Sequence, residues 1–187
     1  MATIRWRHLW REGGGVETLE VGTGRAVGRI DCRAGPDPFE LRYSVRWNGA
    51  WRPLALELRL RGRDPARIER IAEGWQVDGT VRADLAHCTD VDLWPTPFTN
   101  TLAIRRLEAA GRTDAVIRVA WIDGLLDTVA AREQRYTRVA GGWRFVALDD
   151  GFTADIVVDE AGLVVAYPDL FERVAEPDQS WMSRPSR

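Results

Sequence analysis

Short segments in which apolar and polar side chains alternate recur along the whole chain, and this pattern constrains the fold more than any other feature of the sequence. The segment from Phe39 to Trp47 has apolar side chains at its odd positions and polar ones at its even positions. Because successive side chains of a strand point to opposite faces of a sheet, the alternation predicts a strand with one buried face. Turn signals separate such segments at intervals of about eight to twelve residues, which is typical of an all-β sandwich or barrel.

The alternating pattern and a turn signal together predict a hairpin. Asn48-Gly49 follows the Phe39–Trp47 strand and predicts a tight type I′ turn, and the leucines at 54, 56, 58 and 60 give the return strand one apolar face. The same pattern predicts a series of further strands: Ile4–Trp10, Val16–Val21, Arg25–Cys32, Val116–Ile122, Thr128–Val139, Trp143–Leu148, Phe152–Val158 and Leu163–Tyr167. A long antiparallel meander of this kind either closes into a barrel or wraps partly round itself, since it must hide its edges and its apolar face.

Three segments leave alternatives open. Asp64-Pro65 followed by Gly74 has the signals of a short helix around Arg67–Glu73, but the segment fits a strand equally well. Thr101–Ala110 favours a helix and would be the minor α component. Thr128–Val139 carries charge on both faces, so it is either an edge strand or a strand with one polar row facing a hydrated cavity.

Length and charge narrow the class of protein. The 187 residues suit one domain, which we place at residues 1–174, with 175–187 as a loosely ordered tail. The net charge of −2 provides no broad positive field, so we expect no nucleic-acid partner. No apolar stretch is long enough for a membrane span and the first ten residues lack the apolar core of a signal peptide, so we expect a cytoplasmic protein without stable membrane insertion. Cys32 and Cys88 are then buried or idle thiols.

The densest polar stretch runs from residue 88 to residue 108. Asp90 and Asp92 lie two apart on a predicted strand and therefore share a face, and Arg105 and Arg106 follow within reach. The simplest interpretation is a structural network in which arginines neutralise the aspartates while hydroxyl and amide groups, Asn100 among them, fix loop backbone.

This stretch also carries a family resemblance. The strings WQVDG (75–79), DVDL (90–93), PFTNTLAIRRL (97–107), EQRYTR (133–138) and DGFTADIVVDEAGLVVAYP (150–168) together resemble the bacterial putative glycolipid-binding proteins. The resemblance runs in order over most of the chain, although the family favours proline where this chain has Ala103. It implies an antiparallel, incompletely closed β-barrel similar to the lipoprotein carriers, with a hydrophobic cavity.

We therefore predict a non-catalytic protein that binds a lipid or glycolipid in a hydrophobic cavity with a polar mouth, and we expect no cofactor or metal. The candidate ligand-binding residues are an apolar wall formed by Tyr43 and Trp47 with the leucine row, and a polar ring formed by Asp90, Asp92, Asn100, Arg105, Arg106, Arg135 and Tyr136.

Two other functions remain as alternatives. A hydrolase acting on a glycosyl or ester bond would use Asp90 and Asp92 as its paired carboxylates, but the chain has no nucleophile elbow, and its two histidines, His8 and His87, fit no readable triad or zinc pattern. A third possibility is a protein-interaction role through an exposed tryptophan patch, since the chain has nine tryptophans.

Overall fold

The computed structural model describes residues 2–10, 14–32, 38–125 and 128–174, so the predicted tail at 175–187 lies outside the described residues. The first half of the chain forms strands β1 (Ala2–His8), β2 (Gly15–Gly22), β3 (Arg25–Cys32), β4 (Phe39–Trp47), β5 (Pro53–Leu60), β6 (Ala66–Ile71), β7 (Gly74–Val77) and β8 (Thr80–Arg82). The second half follows one turn of 3-10 helix (Ala83–Leu85) with β9 (Asp90–Trp94), helix α1 (Phe98–Ala109), β10 (Asp114–Asp123), β11 (Thr128–Val139), β12 (Gly142–Ala147), β13 (Thr153–Val158), β14 (Val164–Tyr167) and β15 (Phe171–Arg173).

The structure confirms the all-β prediction with a minor α component. The predicted strands at Arg25–Cys32, Phe39–Trp47 and Thr128–Val139 have their observed bounds, and the others differ at their ends by one or two residues. The open alternative around Arg67–Glu73 is resolved as strand β6. Ile68 is fully buried there between Leu56 of β5 and Val77 of β7, so pairing on both sides outweighs the local helix signals.

The predicted two-residue turn at Asn48-Gly49 is wrong, although the hairpin itself is confirmed. Trp47 pairs with Pro53, which leaves a loop of residues 48–52. The Asn48 side-chain oxygen accepts hydrogen bonds from the backbone N–H groups of Ala50 and Arg52, both at 3.0 Å, and Trp51 adopts a φ of 60°. Asn48 thus stabilises a wider loop through its side chain instead of occupying the turn itself.

All fifteen strands of the described residues belong to one sheet. Its order runs from β8 back to β1, crosses to β15 and then runs back to β9. Neighbours are antiparallel except for the parallel pair β9 and β10. The two edge strands, β8 and β9, are therefore joined by residues 83–89 alone. Because seven residues span at most about 25 Å, the sheet has to curl until its two edges lie near each other.

The two edges overlap and do not pair. Ala120 and Ile122 of β10 point away from the concave side of the sheet, yet both are buried. Ile122 and Val129 lie against the inner-face residues of β5 to β7 around one cavity. Arg82 on the β8 edge also donates a hydrogen bond at 2.8 Å to the backbone oxygen of Val129 on β11. The described strands thus form an incompletely closed barrel, rolled so that one margin covers the other.

Helix α1 occupies the concave side of this roll. Every residue from Phe98 to Ile104 is buried, and Leu107 is buried as well. A helix that is buried all round its first two turns has packing partners on all sides, which here are the inner faces of the strands. The helix ends in a Schellman arrangement, in which Gly111 (φ 65°) donates to the oxygen of Glu108 and Arg112 donates to that of Leu107.

Candidate binding site

Strand β9, helix α1 and strand β11 bring three of the predicted residues into one polar network. Asp92 accepts a hydrogen bond from the Thr99 hydroxyl at 3.0 Å and another from the Gln134 side-chain amide at 2.6 Å. Asn100 donates to the Tyr136 hydroxyl at 2.9 Å, and that hydroxyl donates to Gln134 at 3.3 Å. Asp92, Tyr136 and Asn100 are therefore linked through Gln134, and Thr99 also bonds to Asp92. Neither Thr99 nor Gln134 is among the predicted site residues.

Burial changes the acidity of this network. It raises the pKa of Asp92, while the hydrogen bonds from Gln134 and Thr99 and the charge of Arg132 act in the opposite direction. Burial also raises the pKa of Tyr136 well above its ordinary value, and the charge of Asp92 adds to that effect. Each pKa is shifted toward retaining the proton, which is the response of a group removed from water.

Asp90 shares its strand face with Asp92 but belongs to a separate network. Its side chain is almost fully buried and accepts two hydrogen bonds from the Arg106 guanidinium, at 2.9 and 2.6 Å. The Thr89 hydroxyl donates a third at 2.6 Å. This bidentate pair ties α1 to β9 and is the neutralising contact expected from the structural interpretation.

Tyr43 belongs to a third buried cluster. Its hydroxyl donates to Glu17 at 2.5 Å and lies 3.0 Å from the Thr96 hydroxyl, which also donates to Glu17 at 2.8 Å. His8 completes the cluster, with its Nε2 atom 3.8 Å from the second oxygen of Glu17. Burial and the neighbouring Glu17 charge raise the pKa of Tyr43 well above its ordinary value. The cluster joins β1, β2 and β4 to the segment that leads into α1.

The remaining predicted residues lie apart from these networks. Trp47 is 7% exposed, with its ring centroid 5.7 Å from both Trp51 and Phe98. Arg105 stacks over Trp51 at 5.1 Å. Arg135 is exposed on the outer face of β11, where it makes a bidentate ion pair with Asp114. The structure therefore brings Arg135 to none of the three networks.

A sequence signal existed for some of the residues that were missed. Glu17 alternates in phase with Leu19 and Val21, so the strand pattern places a carboxylate in a row that otherwise points inward. His8 follows Ile4 and Trp6 in the same way. Gln134 lies in the even row of Thr128–Val139, whose direction was left open. Because β11 is paired on both sides, it is an inner strand, and this row faces the concave side.

The concave side is open at one end of the roll. Five inward-facing residues on β9 to β11 are partly exposed there, and we call them the mouth patch: Asp92, Trp94, Trp121, Asp123 and Arg132. Further along β11, Gln134 and Tyr136 are only 3% and 1% exposed, against 33% for the Arg132 side chain. Solvent therefore reaches the mouth patch but not the floor of the network below it.

Aromatic rings surround this opening. Trp94 lies 5.0 Å from Trp10 and 5.9 Å from Phe171, measured between ring centroids. Tyr167 lies 6.0 Å from Phe171, and Phe152, which is 40% exposed, lies 6.3 Å from Tyr167. The ring contacts thus run without a break from Trp10 through Trp94, Phe171 and Tyr167 to Phe152.

A cavity of about 640 Å³ lies between the overlapping margins of the sheet, and we call it the overlap cavity. Its apolar lining comes from both layers: Leu58, Pro65, Ala66, Ile68, Val77, Ile122 and Val129. Arg63, Asp64 and Asp78 line the same cavity and give it charged groups. Its volume lies in the range that small-molecule sites occupy. Leu58 of the predicted leucine row lines it, whereas Tyr43, Trp47 and the residues of the predicted polar ring do not.

Other types of site find no support in the part of the chain that the structure describes. No group of three or more histidine, cysteine or acidic side chains in the described ranges could hold a metal ion. None of the described helices is both long and apolar enough to cross a bilayer. Cys32 and Cys88 are both buried free thiols, as expected, and burial raises the pKa of Cys88 to about 11.

The fold and these sites define a β-roll whose sheet encloses a helix and leaves an apolar cavity with charged groups at its lining. Comparison with known proteins gives the family. The chain belongs to the family described as "Putative glycolipid-binding", whose sequence profile matches residues 3–173. It is similar to a DUF1089-family protein of Pseudomonas aeruginosa known from a crystal structure, with 31% identity, 86% of this chain and 92% of that chain covered, and a TM-score of 0.78. No curated protein matches this chain.

Proposed function

We propose that the protein binds an amphipathic ligand, a glycolipid or a lipid-like molecule, without changing it chemically. The overlap cavity is the observation that carries this proposal. It combines an apolar lining from two sheet layers with charged groups from the loop at Gly62–Pro65 and from Asp78. Transfer of an acyl chain from water to such a lining is favourable. The charged groups would then lie near the polar head of the ligand.

The overlap explains how a rolled sheet can have room for an acyl chain although a helix fills its centre. Helix α1 and its neighbours pack the interior, so Tyr43, Trp47 and much of the leucine row contribute to the core. The space for a ligand is instead between the margins, where the described strands of the two layers are not paired with each other. Leu58 of the leucine row reaches this cavity.

No contact of Asp90 or Asp92 specifically favours the hydrolase alternative. The Asp90 carboxylate accepts hydrogen bonds from the Nε and Nη2 atoms of Arg106. The Asp92 carboxylate accepts hydrogen bonds from Thr99 and Gln134. These contacts hold the two carboxylates in separate networks. We therefore propose binding alone.

Binding is tested with the purified full-length chain after incubation with a bacterial lipid extract. The protein is separated from free lipid and analysed by native mass spectrometry. Ala66 lines the overlap cavity and is partly exposed, so Ala66→Trp should fill the space with an indole ring. We expect the native chain to retain lipid and the variant to retain about tenfold less, a loss of about 1.4 kcal/mol.

Ala140→Trp is the matched control, because Ala140 is exposed in the loop between β11 and β12, outside the cavity. It should retain lipid as the native chain does. Thermal melting of all three proteins verifies that they fold. The proposal is wrong if the native chain retains no lipid, or if the folded Ala66→Trp protein retains as much as the control.

A further inference from the structure

We propose that the mouth patch is a binding site for a neutral polyhydroxylated ring, a pyranose, distinct from the overlap cavity. This inference goes beyond the proposed function, because it requires no acyl chain and no ligand in the cavity. Strands β10 and β11 carry both sites on opposite faces. Trp121 and Arg132 face the concave side, whereas Ile122 and Val129 face the cavity. The two sites share no residue.

The patch lies at the border between core and solvent, because Trp94 and Trp121 pack against the hydrophobic core and are still partly exposed. Its side chains lie side by side, because Asp92 is in register with Trp121 and Trp94 with Asp123 on the neighbouring strand. Trp94 and Trp121 are diagonal neighbours, with backbones about 7–8 Å apart, so their indoles and the Asp92 carboxylate line one continuous part of the sheet face. Each of these residues is partly exposed although it points to the concave side.

The charges of the patch favour a neutral ligand. Asp92 and Asp123 are acidic, whereas Arg132 is basic and pairs with Asp149 on the next loop. A cationic ligand would be repelled by Arg132, and an anionic ligand would be repelled by the two aspartates. A sugar hydroxyl is both donor and acceptor, so it suits a surface that offers both kinds of group.

Asp92 retains capacity to accept further hydrogen bonds. A carboxylate has about four lone-pair positions, and the contacts from Thr99 and Gln134 occupy one on each oxygen. These two contacts also hold the carboxylate in a fixed orientation. A fixed and partly desolvated carboxylate at the edge of a binding surface is a strong acceptor for a hydroxyl group.

The tryptophans provide the complementary apolar surface. The C–H groups on one side of a pyranose are apolar and match the flat face of an indole ring. Trp10 supports Trp94 at 5.0 Å between centroids, and the Arg132 guanidinium holds Trp121 at 4.3 Å. Both indoles are thus held in place before a ligand arrives, which lowers the entropy cost of binding.

The probe for this site is methyl β-D-glucopyranoside, observed by saturation-transfer NMR with the full-length chain. We expect transfer to the ring C–H protons, and a fall of about tenfold in affinity for Asp92→Asn, which keeps the side-chain shape, and for Trp121→Ala. Trp51→Ala is the matched control, because Trp51 is also partly buried beneath an arginine, Arg105, but lies at the 48–52 loop.

Sorbitol, an open-chain polyol, separates ring stacking from simple hydroxyl binding and should give no transfer. The inference is overturned if the glucoside shows no transfer with the native chain, if sorbitol binds equally well, or if Asp92→Asn and Trp121→Ala bind as the Trp51→Ala protein does. Ala66→Trp should leave glucoside binding unchanged, so a failure of this site and a failure of the lipid cavity give different results.

Discussion

At the scale of single residues, a tyrosine ring that packs on a glycine limits which residues can stand at that position. Gly28 on β3 pairs with Tyr43 on β4, and the tyrosine ring covers the glycine. A Cβ atom on Gly28 would lie 2.1 Å from the Tyr43 ring carbon Cε1. The glycine therefore makes room for the ring, whose hydroxyl reaches Glu17 and Thr96.

Gly28→Ala should push this ring aside and break its hydrogen bonds in the core. We expect a loss of about 2–4 kcal/mol in the free energy of unfolding, combining overpacking with a buried polar group that loses its partner. Urea unfolding measures it. Gly49→Ala is the control, because a Cβ there meets nothing within 4 Å, and an equal loss for both variants would contradict the prediction.

A second prediction at this scale concerns pH. Burial raises the pKa of Asp92 in the folded chain, so between the unfolded value of about 3.9 and the raised value the folded state holds more protons than the unfolded state. Asp92 therefore lowers stability as pH rises through that window. Relative to the native chain, Asp92→Asn should gain stability from pH 3 to pH 7, measured by urea unfolding at each pH.

Asp114 is the control for the pH prediction, because its pKa shift has the opposite sign. Hydrogen bonds from Arg135 and Thr137 lower its pKa to about 2, so its contribution is present above the unfolded value and is lost as pH falls. Asp114→Asn should therefore become less stable than the native chain as pH rises from 2 to 5. Parallel pH profiles for the two variants would rule out the assigned cause.

At the scale of elements, the most unusual part is a polar helix in the centre of a β protein. Helix α1 has Thr99, Asn100 and Thr101 in its buried first turns. Thr99 and Asn100 bond to groups on the surrounding strands, which is how a polar stretch becomes compatible with burial. From the sequence alone, Asn100 was expected to fix loop backbone and the helix to begin at Thr101, because short polar side chains are commoner in caps and turns.

Leu102→Ala tests whether the helix packs as a core element. Leu102 is fully buried, so the substitution should leave a cavity and cost about 2–5 kcal/mol of unfolding free energy. Leu148→Ala makes the same chemical change at a position that is 44% exposed and should cost about 0.5 kcal/mol or less. Chemical denaturation compares the two, and similar losses would mean that α1 is loosely packed.

The length of a turn between two strands depends on more than the dipeptide that signals it. Asp78 and Gly79 form the two-residue turn between β7 and β8, with positive φ at both residues, and Val77 pairs with Thr80 across it. Asn48-Gly49 has an equally strong signal but lies in a five-residue loop. The difference is the strand register, which requires Trp47 to face Pro53, and no local signal encodes that requirement.

At the scale of the whole molecule, the chain closes its sheet by overlap. The order of strands places β1 beside β15 in the middle of the sheet, so the two ends of the described chain meet there. The sheet edges come instead from the middle of the chain. Hydrophobic contact between the layers, together with the Arg82 contact to β11, covers the edges that would otherwise be free to pair with another chain.

Arg82→Ala should loosen this margin while leaving the rest of the fold intact. The side chain ties β8 to the Val129 oxygen and also pairs with Asp84. We expect faster hydrogen exchange in residues 74–82, with global stability lowered by about 1 kcal/mol or less, because the contact is partly exposed. Arg144→Ala, which removes an exposed pair with Asp155, is the control, and unchanged exchange in β7 and β8 would contradict the overlap.

Local patterns determined the strands and much of the helix. Period-two alternation was sufficient for Arg25–Cys32 and Phe39–Trp47, because side-chain direction in a strand depends only on position parity. It was insufficient for β6, where helix and strand signals competed and the pairing partners decided. Likewise, charge on both faces of Thr128–Val139 could not show which row was inside, since that depends on what covers each face.

The sequence by itself determined the class of fold, the positions of most of its strands and the family, because each is recorded in short-range patterns of residues. Only the tertiary structure decided which margin of the sheet covers the other, and with it where a cavity lies and that Asp90 and Asp92 enter different networks. Those features depend on residues far apart in the chain, such as Ile68 and Ile122, which line one cavity. No local period carries that information, because the free energy that selects it is gained only when the layers meet.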